Sequence, residues 1–331
     1  MSQRAGLESA SQQAHEGAEP GSTAAIAARG FPPSLQHAAS TLGAGTVQRK
    51  LARRRALRSE VAAVQPSDPE KDGDDQTKQT PKPDLTGIGS SIAIGRFVTE
   101  AKNVQAKWDQ LKPGERADDL GKAANVELKN AGVPEVGNKL EDLGTTAGQF
   151  HYKDWTLGLG QKPFSRASVS DVEAADMADT VYHEARHAEQ WHRMARYLAG
   201  KGKKTNQIAK EMGVPSTVAA TAVAKPIHAG KPEGTEGQSF YDSIYGKDAT
   251  HRTHVLTTLR AKAQAWRKAD EDYQRLADDL RAAPAEVQKA KENLDNALAE
   301  FQAAHKDYSA LPEEADAWAI GAATTSAYLK K

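Results

Sequence analysis

The chain has 331 residues, with 44 Lys and Arg against 44 Asp and Glu, a formal net charge of zero, 38% apolar residues, 6% aromatic residues and no cysteine. Its mean hydropathy is −0.67, no window approaches the ~18 apolar residues of a membrane span, and the first residues, Met-Ser-Gln-Arg-Ala-Gly, lack the order of a secretory signal. This composition excludes disulfide scaffolds, thiol nucleophiles and Cys-ligated zinc, and argues against a protein that grips nucleic acid over a uniformly basic surface.

Residues 1–84 hold Phe31 as their one aromatic and seven of the fifteen prolines, among Ser, Gln, Ala and Gly. Such a segment buries too little apolar surface to offset its chain entropy, which predicts disorder. Within it, Arg49, Lys50, Arg53, Arg54, Arg55 and Arg58 form a basic run, with Val47, Leu51, Leu57, Val61 and Val64 at roughly helical spacing, followed by the acidic cluster Asp68, Glu70, Asp72, Asp74 and Asp75. The pair reads either as a solvated linker or as a loading signal.

From residue 85 a folded domain is expected to run to residue 331. Residues 84–144 read as helices interrupted at Leu111-Lys-Pro-Gly and Ala131-Gly-Val-Pro. His151–Leu159 reads as a strand, with Trp155, Leu157 and Leu159 alternating onto one face, closed by Gly160, Pro163 and Ser165. Ser170 and Glu173 then form a capping box. Behind them Ala178, Val181, Ala185, Ala188, Trp191, Ala195 and Leu198 recur at three and four residues, the stripe of a long buried helix that ends at Gly200 and Gly202.

Residues 201–250 read as a loop-rich insertion. Inside it, Gln207–Val218 has the glycine turn of a helix-turn-helix. The would-be reading helix, through residue 222, offers base edges almost nothing but Thr221, so a structural αα-corner is expected and a nucleic-acid partner is not. A helical hairpin is expected over residues 254–310. One seam runs Leu256, Leu259, Ala263, Trp266, Ala269, Tyr273, Leu276, Leu280, and the other Val287, Ala290, Leu294, Ala297, Phe301, Ala304, Tyr308. A last helix should start at Pro312. The fold class is therefore mainly α, with a small β edge (α+β).

Chemistry concentrates in His183-Glu184-Ala185-Arg186-His187 on the well-capped helix. Imidazoles four residues apart lie about 40° apart around a helix and one turn along it, so both can face one ion. Neutral imidazole suits Zn²⁺. Glu184, about 100° from His183, is displaced from the ligand positions yet near enough to act as a base. Chance gives roughly 0.02 such patterns in a chain of this composition. A third ligand must come from elsewhere. Glu314 in Leu311-Pro-Glu-Glu-Ala-Asp-Ala-Trp318 is the first candidate, with Glu313, His251 and His254 as alternatives. Tyr241, Tyr245 and His228 are candidates for stabilising charge in a transition state.

His183-Glu184-x-x-His187, followed by Glu314-Ala-Asp-Ala317 on a later helix, resembles the gluzincin group of zinc metallopeptidases. The resemblance implies a zincin-like catalytic domain with His183, His187 and Glu314 as zinc ligands, Glu184 as general base for a zinc-activated water, and Asp316 orienting a histidine. The strand around Trp155–Leu159 resembles the edge strand on which such enzymes align an extended peptide or protein substrate, with Gly158 allowing close approach. Val47-Gln-Arg-Lys50 and Tyr182–Trp191 are also similar to bacterial metallopeptidase-like proteins, some of them payloads of contractile injection systems. That similarity implies synthesis in the bacterial cytoplasm, and a toxin or effector loaded through its N-terminal segment onto an injection tube or baseplate. Two alternatives are a non-catalytic interaction or effector protein with a structural zinc, and a DNA-binding regulator using residues 207–222.

Overall fold

The computed structural model describes residues 86–144 and 147–330. The disordered leader, its basic run, its acidic cluster and the loading signal expected of residues 1–84 lie outside the described residues. The described chain opens with a 3-10 turn, Gly87–Gly89, and α1, Ser91–Ala106, whose N-cap Ser90 accepts from the Ala93 amide. A second 3-10 turn, Trp108–Gln110, leads into α2, Pro113–Asn130. Both expected interruptions are present. Pro113 takes the first position of α2, where its missing N–H costs nothing, and Gly132 supplies a φ of 76° after the helix ends.

Three strands follow: β1, Gly137–Glu141, β2, Gly148–His151, and β3, Thr156–Gly160, in the order β1-β3-β2. β1 runs parallel to β3 and β2 antiparallel to it. Two sequence expectations are corrected here. His151–Leu159 is a hairpin rather than one strand: His151 pairs with Thr156, and Trp155 sits in the turn at φ 54° instead of alternating with Leu157 and Leu159. A hairpin and a strand share the same apolar spacing on either side of a short turn, so periodicity alone did not separate them. β3 is also the central strand, flanked on both sides, so it cannot offer an edge. A Cβ on Gly158 would meet the side chains of His151 and Glu141, which explains this glycine without any approaching peptide. Among the described residues, the sheet edge beside the long helix that follows belongs to β2.

After a short helix, α3, Gln161–Phe164, the 30-residue α4, Asp171–Gly200, runs through the middle of the domain for about 45 Å. The Ser170–Glu173 capping box forms as expected: the Ser170 amide donates to Glu173 at 2.9 Å and the Glu173 amide to Ser170 Oγ at 3.3 Å. Every residue from Val181 to Ala195 is buried. α1, α2, β2, the three helices after α4 and the last helix pack around α4, so its polar residues are interior groups.

The stretch expected as a loop-rich insertion is instead three helices: α5, Thr205–Met212, α6, Ser216–Ala224, and α7, Pro232–Ile244. Each is short and poor in large apolar residues, so the sequence pattern is weak, and packing on α4 stabilises what propensity leaves marginal. α5 and α6 form the αα-corner, with Gly213 at φ 69° between them. Val218, Ala219 and Ala222 of α6 face the core.

α8, Ala249–Asp278, and α9, Pro284–Ser309, make the hairpin. Its base forms one cluster of Val255, Leu256, Leu259, Ala263, Phe301, Ala304, Tyr308 and Leu311, with Trp266 stacked on Phe301 at 5.4 Å, and Ala290 and Leu294 are buried farther along α9. Farther out, Tyr273, Leu276 and Val287 are half-buried and Leu280 is fully exposed. The outer seam therefore joins the two helices to each other and to little else. α10, Pro312–Leu329, returns along α4. The fold is mainly α with a small three-stranded sheet. Among the described residues no helix is long and apolar enough to cross a membrane.

The α4–α6 contact carries a titratable group. His192 of α4 donates from Nε2 to Thr221 Oγ1 at 3.2 Å, and that hydroxyl gives its own proton to the Val218 carbonyl at 2.7 Å. Burial, reinforced by Arg196 and Lys225, pushes His192 down to about 3. Its ordinary value near 6.5 applies to the unfolded chain. The native state thus excludes a proton that the unfolded state takes up below pH ~6.5, so stability present above that pH is lost on acidification, at about 1.4 kcal/mol per pH unit until pH nears 3. Between pH 7 and pH 5, urea unfolding of the wild type should lose about 2 kcal/mol more than that of His192→Gln. Equal losses in the two proteins would contradict a neutral buried His192.

Candidate metal centre

α4 carries His183 and His187 one turn apart, as the spacing requires, and the first turn of α10 brings Glu314 to them. The three side chains are buried, and one ligand atom from each lies within 4.8 Å of the others. His183 Nε2 and His187 Nε2 are 3.2 Å apart, and Glu314 Oε2 is 3.7 Å from His187 Nε2. The imidazole planes are nearly perpendicular, at 82°. Glu314 Oε2 is buried and has no hydrogen-bond partner. A buried carboxylate oxygen without a hydrogen bond is costly, and a cation between it and the two imidazole Nε2 atoms, which otherwise contact each other, would remove that cost. This His/His/Glu group can hold a metal ion.

The charges around the group follow from its burial. Burial, with His187 adding, holds His183 well below its ordinary value. For His187 burial works the same way, but the Glu314 and Glu184 carboxylates outweigh it and leave the ring above its ordinary value. Burial pushes Glu184 up to about 7; Glu314 adds to this, while His187 and a hydrogen bond from the Phe150 amide of β2 oppose it. Glu184 thus lies between the candidate ligands and the β2 edge of the sheet. A Cβ on Gly148 would press on Thr180 and Glu184, so the strand needs glycine there to approach α4 this closely.

The other candidates separate cleanly. Glu313, adjacent to Glu314 and about 100° round the helix, is fully buried and accepts from Arg252 Nε at 2.6 Å through Oε1, while its Oε2, like that of Glu314, has no hydrogen-bond partner. His251 and His254, on the first turns of α8, are exposed and away from the group. Asp316 does not reach a histidine. It holds Arg186 in a two-pronged contact, at 2.7 and 3.0 Å, and accepts from Gln190 Nε2 at 2.7 Å. Tyr241 donates to Glu211 at 2.5 Å and Tyr245 to the Met212 carbonyl at 2.9 Å, while His228 is exposed. None of these three touches the His/His/Glu group.

Sequence reasoning missed several residues around the group. Tyr308, read as one more apolar position in the α9 seam, faces the Glu314 carboxylate. Trp318 packs its ring 4.8 Å from His183. Gln190, one turn after His187, accepts from His187 Nδ1 at 2.8 Å; its spacing was the one visible signal. Arg252 carries no local signal, because its partner lies 61 residues away. A buried ion network flanks the site: Glu189 joins Arg186 at 2.6 Å and Arg193 at 2.7 Å, and Arg193 also pairs with Glu236. Glu189 further accepts the Ile88 amide, and Arg186 and Arg193 hold Thr86. Gly87, at φ 65°, passes so close that a Cβ would collide with the Glu189 carboxylate.

Compared with known proteins, the chain matches no family model, no curated protein and no solved structure.

The Arg252–Glu313 pair ties the base of the hairpin to the turn that carries Glu314. Removing one partner of a fully buried pair leaves the other charge uncompensated, so Arg252→Met should cost about 3–5 kcal/mol in denaturant unfolding. Arg252→Met combined with Glu313→Leu should recover most of that loss. A double variant as unstable as the single one would show that the pair does not bear on stability in this way.

Proposed function

We propose that this protein is a zinc-dependent peptidase of the gluzincin type, with His183, His187 and Glu314 as ligands and Glu184 as the proton-transferring base. One observation carries the reading. Two imidazole nitrogens and an unpartnered buried carboxylate oxygen converge within 4.8 Å, and Glu184 stands on the same helix beside them. Two nitrogens and one oxygen form a donor set that suits Zn²⁺ and leaves a coordination position for chemistry. Bound there, the ion supplies Lewis acidity, polarising a carbonyl and making water a nucleophile near neutral pH.

The chain's own groups supply the rest. Glu184 takes the proton from the attacking water and returns it to the leaving amine. Its depressed acidity, near 7, suits a group that must both accept and release a proton. β2 offers a place for substrate. The Gly160 amide bonds to the Ala147 carbonyl, and antiparallel bonding alternates along the ladder, so the backbone groups of Gly148 and Phe150 turn away from β3. The Phe150 amide is held by Glu184, so an extended peptide would pair with the Gly148 groups and the Phe150 carbonyl and run past Glu184.

The burial of all three ligands also suits an ion that only staples α4 to α10, and one comparison separates the two readings. Glu184→Gln should keep one zinc per chain by metal analysis and lose at least ~100-fold in cleavage of a peptide library. Glu314→Ala should lose zinc while keeping its helical circular dichroism. Cleavage unaffected by Glu184→Gln, or full zinc content in Glu314→Ala, would refute the assignment; zinc held by a wild type that cleaves no peptide would leave the stapling role.

A further inference from the structure

The two candidate histidines are not supported alike. His183 Nδ1 is buried with no hydrogen-bond partner. His187 Nδ1 faces Gln190 Oε1 at 2.8 Å. The amide of Gln190 has one tolerable orientation, because its other end lies 2.8 Å from the Glu313 carbonyl and 2.7 Å from Asp316 Oδ2. Both of those atoms only accept, so the Gln190 NH₂ must face them and the Gln190 oxygen must face His187. Asp316 is itself held by the Arg186 guanidinium, which also reaches the Thr86 carbonyl at 3.1 Å.

We propose that Gln190 is the positioning residue of the metal centre: its oxygen, held by Glu313, Asp316 and Arg186, keeps the neutral His187 ring in the Nδ1–H form and presents a bare Nε2 to the ion. A neutral imidazole left to itself favours the Nε2–H form, which would put a hydrogen where the ion must bind. Gln190 removes that conflict before any ion arrives. No side chain holds His183 in the same way; the Ala317 backbone is the group that acts on its ring. The centre thus has one ligand preset by a side chain, His187. The preset one is joined through Gln190, Asp316 and Arg186 to the segment Thr86–Gly89, so the start of the described chain bears on metal affinity without touching the ion.

The ring form of His187 is observable without any ion, although its consequence for affinity rests on the zinc reading above. The test is made on the full chain. Imidazole ¹⁵N spectra of the metal-free protein, recorded at rising pH until the His187 ring carries a single proton, should show it as Nδ1–H in the wild type and shifted towards Nε2–H in Gln190→Met, which keeps the volume and removes the acceptor. Zinc affinity by chelator competition should fall about 10–100-fold in Gln190→Met. Nε2–H at His187 in the wild type overturns the proposal and needs no variant to be folded. So does a fall in affinity with the ring form unchanged, which is what a merely structural role would produce. A wild type that shows the Nδ1–H form but takes up no zinc refutes the peptidase reading and leaves the positioning of His187 standing.

Discussion

One constraint organises this domain: the middle of α4 is buried on every side and yet is polar. From Val181 to Ala195 no residue reaches solvent freely, and among them are His183, Glu184, Arg186, His187, Glu189, Gln190, His192 and Arg193. A helix that presents such groups to an interior must find a partner for each, because an unmatched buried charge or donor costs more than packing around it returns. The surrounding elements meet that demand. Thr86 and Ile88 cover the Glu189 network, α6 takes His192, α7 supplies Glu236 to Arg193, and α10 supplies Asp316 to Arg186 and Gln190. The atoms left over are informative by contrast. Among them are Trp191 Nε1, Glu313 Oε2 and Glu314 Oε2, and an ion between the imidazoles would meet the last of these.

α10 resolves an ambiguity that its sequence poses. Glu313 and Glu314 are neighbours of the same type, each suited to a first helical turn through the helix dipole. Because a helix turns by about 100° per residue, they face different surroundings. Glu313 meets Arg252 of the hairpin, and Glu314 meets two imidazoles and the Tyr308 hydroxyl. The hairpin is therefore more than an insertion between parts of the site. Its base supplies a counter-charge to one glutamate and a hydroxyl to the other, while its outer half extends past the core with a half-buried seam and an exposed Leu280 at its end.

Much of this was legible in the sequence where the signal is local. The capping box at Ser170, the stripe of α4, the breaks at Pro113 and Gly132, the hairpin and the start of α10 at Pro312 all follow from interactions within a turn or two of chain. Where the signal needs distant partners, reading failed. β1 has no alternating pattern and is a strand because β3 lies beside it. The His151–Leu159 segment breaks at Trp155 because two strands and a turn bury the same residues that one strand would. The helices α5, α6 and α7 form because α4 offers them a surface.

The same division holds at the candidate centre. The sequence by itself determined that His183 and His187 face one direction, with Glu184 just beside them, because helix geometry converts a spacing of four into adjacency. It also narrowed the third member to a few acidic or histidine positions. Only the tertiary structure chose Glu314 from among Glu313, His251 and His254 to lie beside the imidazoles, and only it placed Gln190, Asp316 and Arg252 in their roles. The physical reason is that the partner of a buried charge is set by which surfaces pack together, here across separations of 61 to 126 residues, and no local pattern carries that choice.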